Sequence, residues 1–382
     1  MNILIAPDKF RGSLDAEEVC NAAEKGVLLA LPGATIIKAP LADGGEGTAQ
    51  ILTRNTGGRF VQTIVTDPIG RRIPATYGVS GDGTTAYIEM SAASGLSLLK
   101  KEEQNPLATS TAGTGELIAH ALESGVTTIV LGIGGSATND AGTGMASALG
   151  FRFLDKNGLE IVPVGGNLGE ISAIQGDNAH PKLKKSRILV ACDVTNPLFG
   201  PNGAAFVYAP QKGADDAMVL HLDSGLRSLA KTASGHFGTD VSEKPGAGAA
   251  GGLGAGAIWF LGAELHEGIK IVMDQLGIPE KIRGMNLVIT GEGKADAQTL
   301  SGKVVKGLAE LCRESGVPLA LVCGTLAITP EEAREAGITY AASVLNRPMD
   351  LDTAQSEASE RITETVFYLV RLLAVQQAFK NG

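Results

Sequence analysis

Short apolar runs alternate with helical spacings at both ends of this chain, and a different pattern fills its middle. Ile3–Ala6 reads as a strand that empties into Pro7-Asp8-Lys9-Phe10-Arg11-Gly12-Ser13. Asp15 followed by Glu18 is a capping-box pattern, and Val19, Ala22, Ala23, Gly26, Val27 and Ala30 then recur at helical spacing. Ala34–Ala39 is a second strand, leading into Pro40–Thr48 and a helix that stops at Gly57-Gly58. From Met285 the alternation resumes. It runs through a strand at Asn286–Thr290, a loop at Gly291–Asp296, a helix at Lys303–Ser315 and a strand at Val317–Cys323. Thr329-Pro330-Glu331-Glu332 opens another helix, Ile338–Leu345 is the next strand, and one long helix is expected over Thr353–Phe379.

The middle begins as a meander. Arg59–Thr66, Arg72–Val79 and Thr84–Met90 are strand-like and separated by Asp67-Pro68-Ile69-Gly70 and Gly81-Asp82-Gly83. A helix over Thr114–Ser124 and a buried strand over Val126–Leu131 lead into LGIGGSATNDAGTGMASALG, residues 131–150. A strand that empties into a glycine-rich polar turn and then a helix can seat an anion on helix-start N–H groups. It can equally be an ordinary strand–helix connection. Arg187–Cys192 is another buried strand, ending in Asp193-Val194-Thr195-Asn196-Pro197, and Pro245–Gly252 precedes a helical stretch expected to reach Leu276.

Two strands at the front and three at the back, joined by helices, make one open parallel sheet. The expectation is an α/β fold of two domains. Residues 1–60 and 285–382 form the parallel-sheet domain, and residues 61–284 form a second α/β domain with a mixed sheet, inserted into the first.

Composition narrows the function classes. The chain has 382 residues, 44% apolar and 19% charged, with a net charge of −9, so a nucleic-acid partner held on a basic face is not expected. Aromatics are 4% and glycines number 51, which suits an enzyme of many tight loops better than a surface of aromatic anchors. Cys20, Cys192, Cys312 and Cys323 form no CxxC, so neither a disulfide framework nor a zinc site is implied. Gly246–Ala263 is uncharged but too glycine-rich to read as a membrane span. The first residues form a strand with no signal-type segment, and the cytoplasm is the expected location.

Several chemistries lack their motif. Gly302-Lys303 is followed by Val304, so no Walker A loop is present. Gly246–Gly251 matches G-x-G-x-x-G without a strand before it, which leaves tight packing or a phosphate contact as its readings. No G-x-S-x-G occurs, and His120, His180, His221, His236 and His266 sit in no comparable loop. What recurs is a carboxylate at each glycine-rich strand exit: Asp8, Asp43 with Glu46, Asp140, Asp193, and Glu292 with Asp296. Such loops are where open α/β sheets bind ligands, and acids without a His/Cys cluster suit Mg²⁺. Each acid alone could equally be a turn or cap residue. Lys9, Arg11, Lys294 and Lys303 accompany them, the mixture that phosphoryl transfer requires.

Together these segments resemble the glycerate kinase family. The stretches are IAPDKFRGSLDA (Ile5–Ala16), PLADGGEGT (Pro40–Thr48), GIGGSATNDAGTGM (Gly132–Met145), ACDVTNPLFGPNGA (Ala191–Ala204), PGAGAAGGLG (Pro245–Gly254) and TGEGKADAQTLSGK (Thr290–Lys303). The resemblance implies two α/β domains, one flavodoxin-like or Rossmann-like, with the reaction in the cleft between them. It implies ATP with Mg²⁺ and D-glycerate as partners, with transfer to the 2-hydroxyl; a homodimer is left open. Arg11 and Lys294 stand where Lys and Arg respectively are expected, so charge is kept while geometry changes.

Individual roles are expectations. Asp193 and Glu292 are candidates for metal or general-base duty, with Asp8 and Lys9 completing the catalytic set. Lys9, Arg11 or Lys294 would hold the glycerate carboxylate or the γ-phosphate, and Gly134, Gly135, Ser136 and Asn139 would offer donors to an anion. Ser13, Asp43, Gly44, Gly45, Glu46, Asp140, Asn196 and Asp296 complete the expected substrate- and phosphate-binding set. A non-catalytic sensor of small hydroxy acids, a metal-dependent phosphohydrolase, and phosphorylation at the 3-hydroxyl are the alternatives.

Overall fold

The computed structural model describes residues 1–42, 45, 47–301 and 303–380. Its strands in chain order are β1 (Asn2–Ile5), β2 (Thr35–Lys38), β3 (Arg59–Thr66), β4 (Arg72–Val79), β5 (Thr85–Glu89), β6 (Thr128–Gly132) and β7 (Arg152–Leu154). They continue as β8 (Glu160–Ile161), β9 (Ala173–Gln175), β10 (Arg187–Ala191), β11 (Glu264–His266), β12 (Leu287–Ala295), β13 (Leu319–Leu326) and β14 (Tyr340–Ser343). The chain divides into two compact units, Met1–Asp43 with Val272–Gly382, and Gly44–Ile271.

The first unit is built on a five-stranded sheet in the order β14-β13-β12-β1-β2. Every pairing in it is parallel. Ile3, Leu4 and Ile5 are fully buried, which is why β1 reads as a continuous apolar run rather than an alternation. The Asp15/Glu18 capping box forms, each side chain bonding the other's backbone N–H at 2.8 Å. It starts the Ala16–Ala30 helix. That helix packs on the C-terminal Ala358–Lys380 helix at Gly26, where an added Cβ would lie 2.4 Å from the Thr363 carbonyl.

Three expectations in this unit need correction. Gly291–Asp296 is not a loop: β12 runs on to Ala295 because β13 extends beside it, pairing Glu292 with Cys323 and Lys294 with Thr325. The final helix is two helices, Leu351–Ser356 and Ala358–Lys380, the first capped by Asp350. The unit's first segment ends at Asp43 rather than at 60, and its second begins at Val272 rather than 285.

The second unit carries a six-stranded mixed sheet, β11-β10-β6-β5-β4-β3. The β11-β10-β6-β5 portion is parallel, and the meander adds β4 and β3 antiparallel at one edge. The Thr48–Asn55 helix packs here, with Thr53 so close to Gly78 that a Cβ there would overlap the Thr53 hydroxyl. A small antiparallel sheet, β8-β7-β9, has no counterpart in the sequence reading. The helical stretch expected to reach Leu276 breaks at Gly262, whose φ of 63° ends the Ala249–Leu261 helix. β11 and the Gly268–Gln275 helix follow. Among the described residues no helix is long and apolar enough to cross a membrane.

Candidate active site

In the first unit β1 and β12 run side by side, so their carboxyl ends emerge together. The Asp8 N–H donates to the Gly291 carbonyl at 2.9 Å, and the Lys9 N–H donates to Asp8 Oδ1 at 2.7 Å. The loop after β1 then crosses the end of β12. A Cβ on Gly293 would sit 3.3 Å from the Arg11 nitrogen, and one on Gly324 would sit 2.4 Å from the Gly293 carbonyl. The glycines of Gly291-Glu292-Gly293 are therefore the condition for three backbone segments to converge on Glu292.

Glu292 is half-buried, and its Oε1 is buried with no hydrogen-bond partner among the described residues. Burial raises its proton affinity. The Thr299 hydroxyl and Arg11 oppose that shift, while the nearby charges of Asp8 and Asp296 add to it. Asp296 pairs with Lys294 at 2.8 Å. Lys9 and Arg11 are exposed on the same loop. Ser13 turns its hydroxyl to the Gln355 carbonyl at 2.9 Å, so it anchors the loop to the Leu351–Ser356 helix. Asp43, Gly44 and Glu46 lie outside the described residues, as does the Lys303 side chain.

An orphaned carboxylate oxygen beside two further acids is a place that a cation would complete. Among the described residues no group of three or more His, Cys, Asp or Glu is placed to hold a metal ion. Any cation there would find at most one or two carboxylates among these side chains and would draw the rest of its shell from outside the protein.

In the second unit the stretch 131–150 behaves differently from an anion cradle. The helix begins only at Thr143, and the anion at its start is Asp140. That carboxylate is fully buried and accepts from Thr111 N and Oγ1 at 2.8 Å each, Gly142 N at 3.1 Å and Gly144 N at 3.2 Å. Burial pushes its proton affinity up against the pull of those four bonds. Ser136 is likewise turned inward: its Oγ accepts from Lys212 Nζ at 2.7 Å, and the same ammonium donates to the Thr138 carbonyl at 2.7 Å. Asn139 is buried, and both its amide atoms lack a hydrogen-bond partner among the described residues.

Only Gly134 and Gly135 of the expected donors reach the surface. With Gly45, Glu89, Ser91 and Ser97 they line a cavity of about 180 Å³ at the carboxyl ends of β5 and β6.

At the exit of β10, Asp193 Oδ1 accepts the Gly268 N–H at 2.9 Å and so caps the Gly268–Gln275 helix. The Asn196 amide donates to the Asn202 carbonyl at 2.8 Å and accepts from the Tyr208 hydroxyl at 2.6 Å, shaping the 193–203 loop. The G-x-G-x-x-G match resolves as packing. A Cβ on Gly248 would lie 2.1 Å from the Pro197 carbonyl, and one on Gly251 2.0 Å from the Thr138 carbonyl. Ala250 between them lies in the left-handed region at φ 52°.

Lys212 escaped the sequence reading. It lies in Pro210-Gln211-Lys212, a single turn with no periodic neighbours, and only the tertiary fold puts it under the 136–140 loop.

The fold and the site define an α/β enzyme whose acids and bases gather at the carboxyl ends of parallel strands. The glycerate kinase family model matches residues 3–374, and the chain belongs to that family. Glycerate 2-kinase of Escherichia coli (strain K12) is 46% identical, with 98% of each chain covered. Glycerate kinase of Bacillus subtilis (strain 168) is 43% identical, with 96% of each covered. A solved structure from Salmonella typhimurium LT2, assigned as a glycerate kinase 2, superposes with a TM-score of 0.90 at 42% identity over 99% of both chains.

Proposed function

We propose that this chain is an ATP-dependent glycerate kinase that transfers the γ-phosphoryl group to the 2-hydroxyl of D-glycerate, giving 2-phospho-D-glycerate and ADP in the cytoplasm. The observation that carries the reading is the end-to-end likeness to the Escherichia coli glycerate 2-kinase. The chemistry at the β1/β12 edge supports it. Phosphoryl transfer needs a base for the acceptor's proton and positive charge for the transferred group.

Glu292 is suited to the first task, because burial and its acidic neighbours raise its proton affinity above that of an ordinary glutamate. Asp193 is a weaker choice, since its Oδ1 already holds a helix start. Lys9 and Arg11 supply exposed cations for a phosphate or a carboxylate, and Lys294 is steered by Asp296. Mg²⁺ would come with the triphosphate and neutralise its charge when bound, leaving the Glu292 carboxylate to take the proton.

The test is an ADP-release assay with ATP, Mg²⁺ and D-glycerate, followed by phosphorus NMR of the product. Stoichiometric ADP with a 2-phosphoglycerate resonance is expected. A 3-phosphoglycerate resonance overturns the regiochemistry. Phosphate release without phosphoglycerate, or no turnover at all, overturns the kinase reading.

A further inference from the structure

The cavity at the ends of β5 and β6 is not explained by a phosphate. Among the described residues its lining includes no Lys, Arg or His. The Thr48–Asn55 helix start commits two of its N–H groups to the cavity wall itself, Gly47 N and Ala49 N donating to Glu89 Oε1 at 2.9 and 3.1 Å, and the Ser91–Ser94 helix that begins at the cavity is a single turn. A triphosphate entering here would meet a carboxylate and, among the described lining residues, no cation. At about 180 Å³ the space is also small for a nucleotide, while a three-carbon acid fits.

What the cavity does offer is matched to hydroxyl groups. Glu89 ends β5 directly opposite Gly132 of β6, where an added Cβ would lie 3.7 Å from Glu89 Cγ. A Cβ on Gly134 would meet nothing within 4 Å. A carboxylate has about four lone-pair sites, so Glu89 can serve the helix cap and accept a ligand hydroxyl together. Ser91 and Ser97 can donate and accept, and Leu96 supplies an apolar wall for a short carbon chain.

We propose that this cavity is the acceptor pocket, taking the hydroxyl-bearing end of a small hydroxy acid on Glu89, Ser91 and Ser97 and leaving the acid's own carboxylate pointing outward. The outward direction follows from like charge, because a carboxylate buried against Glu89 would be repelled. The inference deepens the glycerate kinase reading and rests on it for the identity of the acid. It also replaces the phosphate role expected of residues 134–136.

Two measurements on the full chain test it. Ser91→Ala, Ser97→Ala and Glu89→Gln, the last keeping the Oε1 acceptor for the helix cap, are compared with wild type in the ADP assay. KM for D-glycerate should rise about tenfold in each while KM for ATP stays within about twofold. A raised KM for ATP with KM for glycerate unchanged overturns the assignment, and so does no change in either. Calorimetric titration of D-glycerate without ATP separates this inference from the activity. If wild type binds glycerate and the variants bind it about tenfold more weakly, the pocket stands even where no ADP forms. If wild type turns glycerate over and the variants bind it equally well, the pocket falls and the kinase reading remains.

Discussion

Lys212 Nζ lies 2.7 Å from Ser136 Oγ, with the lysine 1% exposed. A second bond of 2.7 Å ties it to the Thr138 carbonyl, so one ammonium pins two points of the 134–140 loop from beneath. Burial pulls its pKa down to about 7, against the attraction of Asp140.

This gives stability a pH dependence of definite sign. The native state releases the Lys212 proton near pH 7, whereas the unfolded chain keeps it to about 10.4. Between those values the unfolded state holds more protons, so Lys212 adds stability as pH rises and loses it as pH falls toward 7. Lys212→Met removes this slope and leaves the Ser136 hydroxyl and Thr138 carbonyl without their donor, at a cost of about 1–3 kcal/mol. Urea unfolding at pH 7 and pH 9 checks it. Wild type should gain on the variant at the higher pH, and parallel curves would count against it.

Glu292 and Asp8 make a prediction about rate. Glu292→Gln should lower kcat by about a hundredfold or more if the carboxylate takes the acceptor's proton. The Asp8 charge helps to hold the Glu292 proton affinity up. Asp8→Asn should therefore shift the acidic limb of the normalised pH–rate profile to lower pH, because the base stays ionised further into acid. A limb that does not move would show that another group controls it.

Gly256 tests whether packing or propensity dominates the glycine-rich helix. Alanine favours a helix interior by about 1 kcal/mol over glycine. Here, however, a Cβ would lie 2.0 Å from the carbonyl of Ala141, itself held at φ 50°. Gly256→Ala should destabilise by a net of about 2 kcal/mol, read from the denaturation midpoint, since overpacking against fixed backbone costs more than propensity returns. A stabilised variant would mean that the 138–142 loop yields.

Much of the fold is legible in the residue pattern for a local reason. The central strands β1, β12 and β13 are buried on both faces and leave unbroken apolar runs, while capping boxes and closing glycines mark the helix ends that separate them from the part-exposed edge strands β2 and β14, so the five strands can be counted directly. The β7–β9 sheet left no such trace, because strands of two or three residues are too short to show a period. The Gly291–Asp296 segment looks like a loop by composition and is a strand only because β13 extends beside it. Acids at strand exits were equally visible, but their uses were not. Glu292 keeps an oxygen with no partner among the described residues, while Asp140 and Asp193 spend theirs on helix starts.

The sequence by itself determined the α/β class, the two-part organisation and the family, because these rest on periodicity and on motifs contiguous in the chain. Only the tertiary structure decided which residues of residues 131–150 face solvent and which are consumed internally. Ser136 and Asp140 have the chemistry of an anion site, and what turns them inward is Lys212, seventy-six residues from Ser136 in the chain, and the amides of Thr111 and Gly144. A polar side chain serves whichever donors the fold places within reach, and that choice is not written in its neighbours along the chain.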